Sequence, residues 1–583
     1  MTAPNRATLW GQILVEECAA AGLSAACVAP GSRSTPLTIA LAQHDDVDVY
    51  SHLDERSAAF FALGRGRRTG EPTAVVTTSG TAAANLHPAV IEADRGRVPL
   101  LLLTADRPQE LQDSGANQTI DQADLYGDAV RWHRTLPEPA PEARRLRSLR
   151  VAADRAVATT TGVHPGPVHL NIPFAKPLEP TPVEGDVPTT LDEQAGRALD
   201  GREGPYVSTS SGRPTLDDGT VATVAERVDA AERGLIVCGP ADAGAPDREG
   251  LSALLGATEF PLLADPLSGH RFGPLVDEHT VCGGYDAYID AIAEWPAPDV
   301  VLRFGASPTS KALRHYLRDV DPTTFLVDPA GEWREAEFAA TDHLVADPGW
   351  FATTLAEQVS DGGDPDYATR FSDAETQHWA VVNDALGGEP FEGGLLCDVA
   401  DLAPDPSTLV VSNSMPVRDL DRFGKPRAGD ITVLGNRGAS GIDGITSTAL
   451  GAASATDDPL IAVIGDLAYY HDMNGLLAIG RCDVDATIVL VDNDGGGIFH
   501  MLPIAEFDPP FTELFATPHG LDFSPTADLY GLEFVSVDDR VGARAAIRES
   551  LDADGTQVIH VGFDAAASHQ RRAALAERVA ERL

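Results

Sequence analysis

Two polar residues at the ends of apolar runs carry the strongest chemical signal in the chain. The run "LIAVIGD" closes on Gly465–Asp466, and "ATIVLVDNDGGG" closes on Asp492, Asn493 and a glycine run. Asp466 and Asn493 are 27 positions apart. If both runs are neighbouring parallel strands, their carboxyl ends bring a carboxylate and an amide oxygen together. With a backbone carbonyl from the glycine run, that is a hard, all-oxygen site suited to Mg²⁺ carrying a diphosphate. Gly465 and the glycines at 495–497 let backbone N–H groups approach phosphate closely. Gly-Asp alone is ordinary turn chemistry. The pairing of two such strand ends is what points to a ligand.

Such a pair needs a parallel sheet, and the rest of the chain supplies the pattern for one. Residues 74–78, 81–94 and 98–104 read as strand, helix and buried strand, a βαβ unit. Short apolar runs ending in turn residues recur in "GLIVCGPAD", "DVVLRFGASP" and "TTFLVDP", and again in "STLVVSNS" and "DITVLGN". The expected fold class is α/β, three domains with parallel sheets flanked by helices. The boundaries read as 1–180, then 181–370 with a Pro/Gly/Ser-rich linker from about 178 to 222 and a central α/β domain, then 371–583. An acidic stretch, "SDGGDPD", lies near the second boundary. In the first segment, "SHLDERS" places Asp54 and Glu55 side by side at a strand-to-helix junction.

Composition narrows the function classes. The 583 residues carry 88 acidic and 43 basic side chains, a formal net charge of −45. That field repels nucleic acid, so no nucleic-acid partner is expected. Lys176, Lys311 and Lys425 are the only lysines, and an acid-rich, lysine-poor surface suits concentrated salt, hence a halophilic source. No apolar run is long enough to span a membrane, and the start of the chain reads as an amphipathic helix rather than a signal peptide. The six cysteines show no metal spacing and read as small apolar residues in a reducing compartment. A cytoplasmic protein is the expectation.

The Gly-Asp…Asn spacing resembles the diphosphate motif of thiamine-diphosphate enzymes. The resemblance implies pyrimidine-binding, central and diphosphate-binding domains. It implies Asp466, Asn493 and the backbone oxygen of Gly495 as ligands of Mg²⁺, with Mn²⁺ possible. Gly465 and Leu467 would also contact the cofactor. In that family a glutamate contacts the aminopyrimidine ring across a subunit interface and activates the cofactor, which singles out Glu55 as catalytic. "APGSRSTPLTIAL", "SHLDERSAAFFALG", "TTSGTAAANLHPAVIEA", "GNRGASGIDG" and "VIGDLAYYHDMNGL" are similar to the 2-succinyl-5-enolpyruvyl-6-hydroxy-3-cyclohexene-1-carboxylate synthases of menaquinone biosynthesis. Those enzymes join 2-oxoglutarate to isochorismate with loss of CO₂. Both substrates are dianions, which suits arginine's permanent charge and planar fork. The resemblance implies Ser32, Arg33, Arg107, Asn117 and Gln118 around isochorismate, and Arg418 and Arg437 near the oxoglutarate-derived chain. Lys311 is a further candidate from the central segment. Ser414 and Ile442 would contact the cofactor, Ile442 between its rings. A homodimer or homotetramer with interfacial sites is implied. The alternatives are another thiamine-diphosphate carboligase, acetohydroxyacid synthase-like, or a non-catalytic protein that keeps the fold.

Overall fold

The computed structural model describes residues 3–241, 245–360 and 362–583. Asp242, at the end of "GLIVCGPAD", and Asp361, within "SDGGDPD", lie outside the described residues. Three six-stranded sheets make up the chain, and all their neighbouring strands run parallel. In the first sheet the order is Asp48–Ser51, Ala25–Val28, Thr73–Thr77, Leu100–Asp106, Pro167–Pro173, Trp132–Thr135. The third repeats that order with Ile431–Leu434, Ser407–Val411, Leu460–Gly465, Thr487–Asp492, Gln557–Gly562 and Glu533–Val537. The middle sheet, counted from Gly234–Cys238, runs 3-2-1-4-5-6, the doubly wound order. Central strands such as Leu100–Asp106 are buried at every position, because helices cover both faces.

Chain direction reverses between the first and third strands of each outer sheet. Ligand crevices of open parallel sheets form at such switch points, beyond the carboxyl ends of the strands. In the first sheet the strand ends at that point lead into 29–34 and 78–80. In the third they lead into 412–414 and Asp466.

Two compact units form. The first comprises Met1–Gly212, Asn436–Asp457 and His471–Val484, and the remainder of the chain forms the second. The first is built around its sheet, with Trp10, Ile13 and Leu14 of the helix Arg6–Ala20 fully buried. Within it the helix Ile445–Ala453 crosses the helix Glu55–Thr69 at very short range. A Cβ on Gly64 would lie 2.0 Å from the Thr448 carbonyl oxygen, and one on Gly451 2.0 Å from that of Phe61.

Two local readings differ from the sequence expectation. The helix expected over 81–94 is split into Thr81–Ala84 and His87–Arg95. Pro88 lacks the N–H that would continue the ladder, and its ring crowds the carbonyl of Ala84. The stretch expected as a linker holds helices Leu191–Ala195 and Arg197–Asp200, with Leu191, Ala195, Ala198 and Leu199 buried in the first core. Their i, i+4, i+7, i+8 spacing is a helical face that the surrounding prolines and serines masked. Arg150, itself buried, donates to the carbonyls of Ala198 and Leu199 and pins the pair. Four cysteines are buried, Cys397 and Cys482 are half-buried, and all six are free. Among the described residues no helix is long and apolar enough to cross a membrane.

Candidate active site

In the second unit the two anticipated strand ends do adjoin. Leu460–Gly465 pairs with Thr487–Asp492, so Asp466 and Asn493 follow neighbouring strands. Asp466 is 2% exposed. One carboxylate oxygen accepts from the Leu467 N–H at 2.7 Å. The other accepts from Gly495 N–H at 2.8 Å and Asn493 N–H at 3.2 Å. The amide oxygen of Asn493 is buried with no hydrogen-bond partner among the described residues. An orphaned buried acceptor is costly without a ligand. Gly495 has φ of +142°, open only to glycine, and its carbonyl accepts from Gly497 N–H at 3.0 Å, leaving a second lone pair. A Cβ on Gly465 would meet nothing within 4 Å, so the backbone there is open to close approach. Carboxylate, orphaned amide oxygen and carbonyl are the donor set a hard divalent cation takes, and the residues fit it.

The sequence placed Asp492 beside this site but did not single out the histidines His519 and His560. Asp466, Asp492 and His519 each bring a ligand atom within 4.8 Å of the others. Burial, reinforced by the Asp492 carboxylate, raises the Asp466 pKa to about 6. For Asp492 burial is the largest single influence and acts upward, but the His560 ring nitrogen at 2.9 Å, the Asp494 N–H and the Asp466 carboxyl together outweigh it and leave the group below the usual range. His519 faces Asp466 through Nε2 at 3.3 Å, and its Nδ1 accepts from Leu521 N–H at 3.0 Å. In that tautomer Nε2 donates, so His519 steadies Asp466 rather than offering a lone pair. The loop after Ser407–Val411 lies at the same switch point, where Gly465 N–H donates to Ser412 Oγ at 3.4 Å. Ser414 holds φ of +71°, a strained value for a side-chain-bearing residue, and its carbonyl accepts from Arg418 at 2.6 Å. Lys311, in the middle segment, is exposed at the start of the helix Lys311–Val320.

The first unit carries the other group. Asp54 caps the helix Glu55–Thr69 by accepting from Arg56 N–H at 2.9 Å and Ser57 N–H at 3.3 Å. The two acids of "SHLDERS" therefore separate: Asp54 fixes the helix start, and Glu55 is its first residue. Glu55 is half-buried in the single chain and accepts from Asn85 at 3.4 Å. Ser32 and Arg33 follow the strand Ala25–Val28 at the switch point. Ser32 is exposed, whereas Arg33 is 4% exposed. Arg33 donates to the Phe174 carbonyl at 2.5 Å, its Nε has no partner, and no carboxylate pairs with it among the described residues. A buried guanidinium without a counter-ion is a strong sign of a missing anion. Arg107 donates to the Asn117 carbonyl at 2.9 Å and lines a cleft of about 910 Å³. Gln118, at φ of +56°, and Ser79 bond each other reciprocally, with the Gln118 amide on the Ser79 carbonyl at 3.1 Å. Asn117 and Gln118 are exposed. Arg437 and half-buried Ile442 lie in the loop that leads into Ile445–Ala453. Buried Glu92 anchors that loop by accepting from Gly438 N–H at 2.8 Å and Ala439 N–H at 2.7 Å. Nothing local in the sequence marks Glu92 as the anchor, since the loop N–H groups it holds lie more than 340 residues away, although it also pairs with Arg67 at 3.1 Å.

Comparison with known proteins accords with this geometry. Residues 10–125 match the family model for the N-terminal TPP-binding domain of thiamine pyrophosphate enzymes, and residues 432–561 match that for the C-terminal TPP-binding domain. With three parallel sheets and an all-oxygen strand-end site, the chain is an α/β protein of the thiamine-diphosphate enzyme class, which works with a divalent metal. A protein of Haloarcula marismortui is 62% identical over 591 residues, covering 100% of both chains. One of Natronomonas pharaonis is 59% identical over the full length, and one of Roseiflexus castenholzii is 48% identical over 98% of each chain. All three are named 2-succinyl-5-enolpyruvyl-6-hydroxy-3-cyclohexene-1-carboxylate synthase, and the chain belongs to that synthase family. The first two relatives come from salt-loving archaea, in keeping with the net charge of −45.

Proposed function

We propose that this chain decarboxylates 2-oxoglutarate and adds the resulting four-carbon unit to isochorismate, the menaquinone-pathway reaction of its relatives. The observation that carries the reading is the pair of strand ends in the third sheet, where Asp466 stands beside an Asn493 oxygen that has no protein partner. Thiamine diphosphate, when bound, supplies the carbon nucleophile that attacks the oxo acid. Asp466, Asn493 and the Gly495 carbonyl would hold the Mg²⁺ or Mn²⁺ that accompanies its diphosphate. Gly465, Leu467, Ser414 and Ile442 shape the cofactor's bed. Glu55 would hold or share a proton with the cofactor's aminopyrimidine ring, with its half-buried carboxyl covered by a partner subunit. Two or four copies then form the working enzyme, in the cytoplasm. Arg33 and Arg107, with Ser32, Asn117 and Gln118, receive the isochorismate carboxylates. Arg418 and Arg437 receive those of 2-oxoglutarate, with Lys311 a further candidate substrate contact. The domains would run 1–180, 181–370 and 371–583.

The arginine set favours this reading over an acetohydroxyacid synthase-like carboligase. A small monoacid would leave Arg33 buried and unpaired, at a cost of several kcal/mol. The test is product formation from 2-oxoglutarate and isochorismate, with and without Mg²⁺ and thiamine diphosphate. Coupled product that depends on both is expected, and Glu55→Gln should abolish it while cofactor still binds. CO₂ release with no coupled product would overturn the assignment in favour of a plain decarboxylase.

A further inference from the structure

Behind the Asn493 side chain lies a buried charge cluster that neither the motif nor the proposed reaction accounts for. Glu392 is the first residue of the helix Glu392–Leu402, Asp419 lies on Met415–Phe423, and Arg572 lies on the C-terminal helix Ala565–Ala580. They are 1%, 1% and 5% exposed. Arg572 reaches both oxygens of Asp419 at 2.5 Å and also donates to Glu392. The remaining Glu392 oxygen accepts from the Asn493 amide nitrogen at 2.9 Å.

That last contact decides which way the Asn493 amide points. The two ends of an amide have nearly the same shape, and only their partners tell them apart. A carboxylate accepts and cannot donate, so Glu392 selects the NH₂ end. The oxygen is then turned away from the cluster, where it is left without a protein partner. The space is tight as well, since a Cβ on Gly497 would lie 2.5 Å from the Asn493 amide nitrogen.

We propose that Glu392, held by Arg572, is a positioning residue that turns the Asn493 oxygen toward the metal. The inference rests on the reading of Asn493 as a metal ligand. Groups behind metal ligands typically alter metal affinity by about 10–100-fold when removed. Glu392→Gln keeps the size of the side chain but can donate as well as accept, so the amide is free to turn over.

The experiment is calorimetric titration of the metal-free, cofactor-free protein with thiamine diphosphate in the presence of Mg²⁺, alongside a melting curve of the stripped protein. Glu392→Gln is expected to weaken binding by about 10-fold or more, with the stripped protein melting near wild type. Glu392→Asp keeps the charge beside Arg572 but falls a methylene short of Asn493, and a similar loss is expected. Because Glu392 acts through Asn493, adding Glu392→Gln to Asn493→Ala should weaken binding no further. Wild-type affinity in both Glu392 variants, with Asn493→Ala impaired, overturns the positioning role alone. Wild-type affinity in Asn493→Ala overturns the ligand reading itself.

Discussion

The crossing of Ile445–Ala453 over Glu55–Thr69 makes the least forgiving contact in the first unit, and Gly451→Ala probes it. The added Cβ would sit 2.0 Å from the Phe61 carbonyl oxygen and 2.7 Å from its carbon. Ordinary contact is about 3.5 Å, so the helices must part by roughly an ångström. The obstacle is backbone, which cannot rotate aside as a side chain would. Overpacking of this kind costs about 1–3 kcal/mol, with the upper end expected here. The helix itself gains about 0.5–1 kcal/mol from alanine over glycine. The net is a loss of about 2 kcal/mol, read as a lower urea midpoint and a melting temperature reduced by several degrees. Function should suffer more than stability. Glu55 opens one of the two helices, and the loop bearing Arg437 and Ile442 feeds the other. A misplacement near 1 Å can cost about 100-fold in rate, so kcat/KM should fall by about 10–100-fold. Gly480→Ala is the control: its Cβ would meet nothing within 4 Å, and a gain of about 0.4–1 kcal/mol is expected. A Gly451→Ala protein as stable and as active as wild type would refute the reasoning.

Arg33→Gln removes a buried cation that no carboxylate balances, so the ligand-free protein should melt at or above the wild-type temperature, while KM for isochorismate rises at least about 10-fold. A clear drop in melting temperature with unchanged KM would make Arg33 structural. Acid should destabilise the fold through buried histidines: burial lowers His52 and His270 to about 4 and His169 and His378 to about 3, so each stays neutral while the unfolded chain protonates near 6.5. Their contribution is intact above 6.5 and is lost as pH falls through 6.5 toward 4, by about 2 kcal/mol per histidine at pH 5; a flat urea midpoint across that window would contradict the burial argument, and His378→Gln should soften the slope. The net charge of −45 predicts a melting temperature that climbs with KCl, since the screening length falls from about 10 Å at 0.1 M to about 3 Å at 1 M; salt-independent melting would show that charge repulsion does not limit the fold.

The parts of the site legible in the sequence are those whose chemistry sits where an element ends. Asp466 and Asn493 could be read because each closes a continuous apolar strand, and a parallel sheet aligns strand ends without further information. Glu55 was legible only through the family resemblance, since a carboxylate at a helix start is usually solvated. Glu392 and Arg572 were not legible at all. They lie 101 and 79 positions from Asn493, and what joins them to it is the packing of helices. The helices at 191–200 were hidden for a different reason. Their four apolar residues follow helical spacing, but Pro, Gly and Ser on either side outweighed so short a pattern.

The repeated sheet order places a crevice at the switch point of each outer sheet, and the residues there distinguish the two. Both sheets reverse direction at the same place, so one topology supplies a crevice in each. What each crevice accepts is set by the first polar residues beyond its strands. In the first unit these include Arg33, a buried guanidinium with no counter-ion among the described residues, which can take a carboxylate directly. In the second it is Asp466 with Asp492 close by, backed by two carboxylates on the single guanidinium of Arg572. Beside Asp466 and Asp492, a diphosphate is disfavoured unless a cation arrives with it. A diphosphate paired with Mg²⁺ satisfies this condition and free phosphate does not, so the second unit should bind thiamine diphosphate only with the metal, while the first binds dicarboxylates without one.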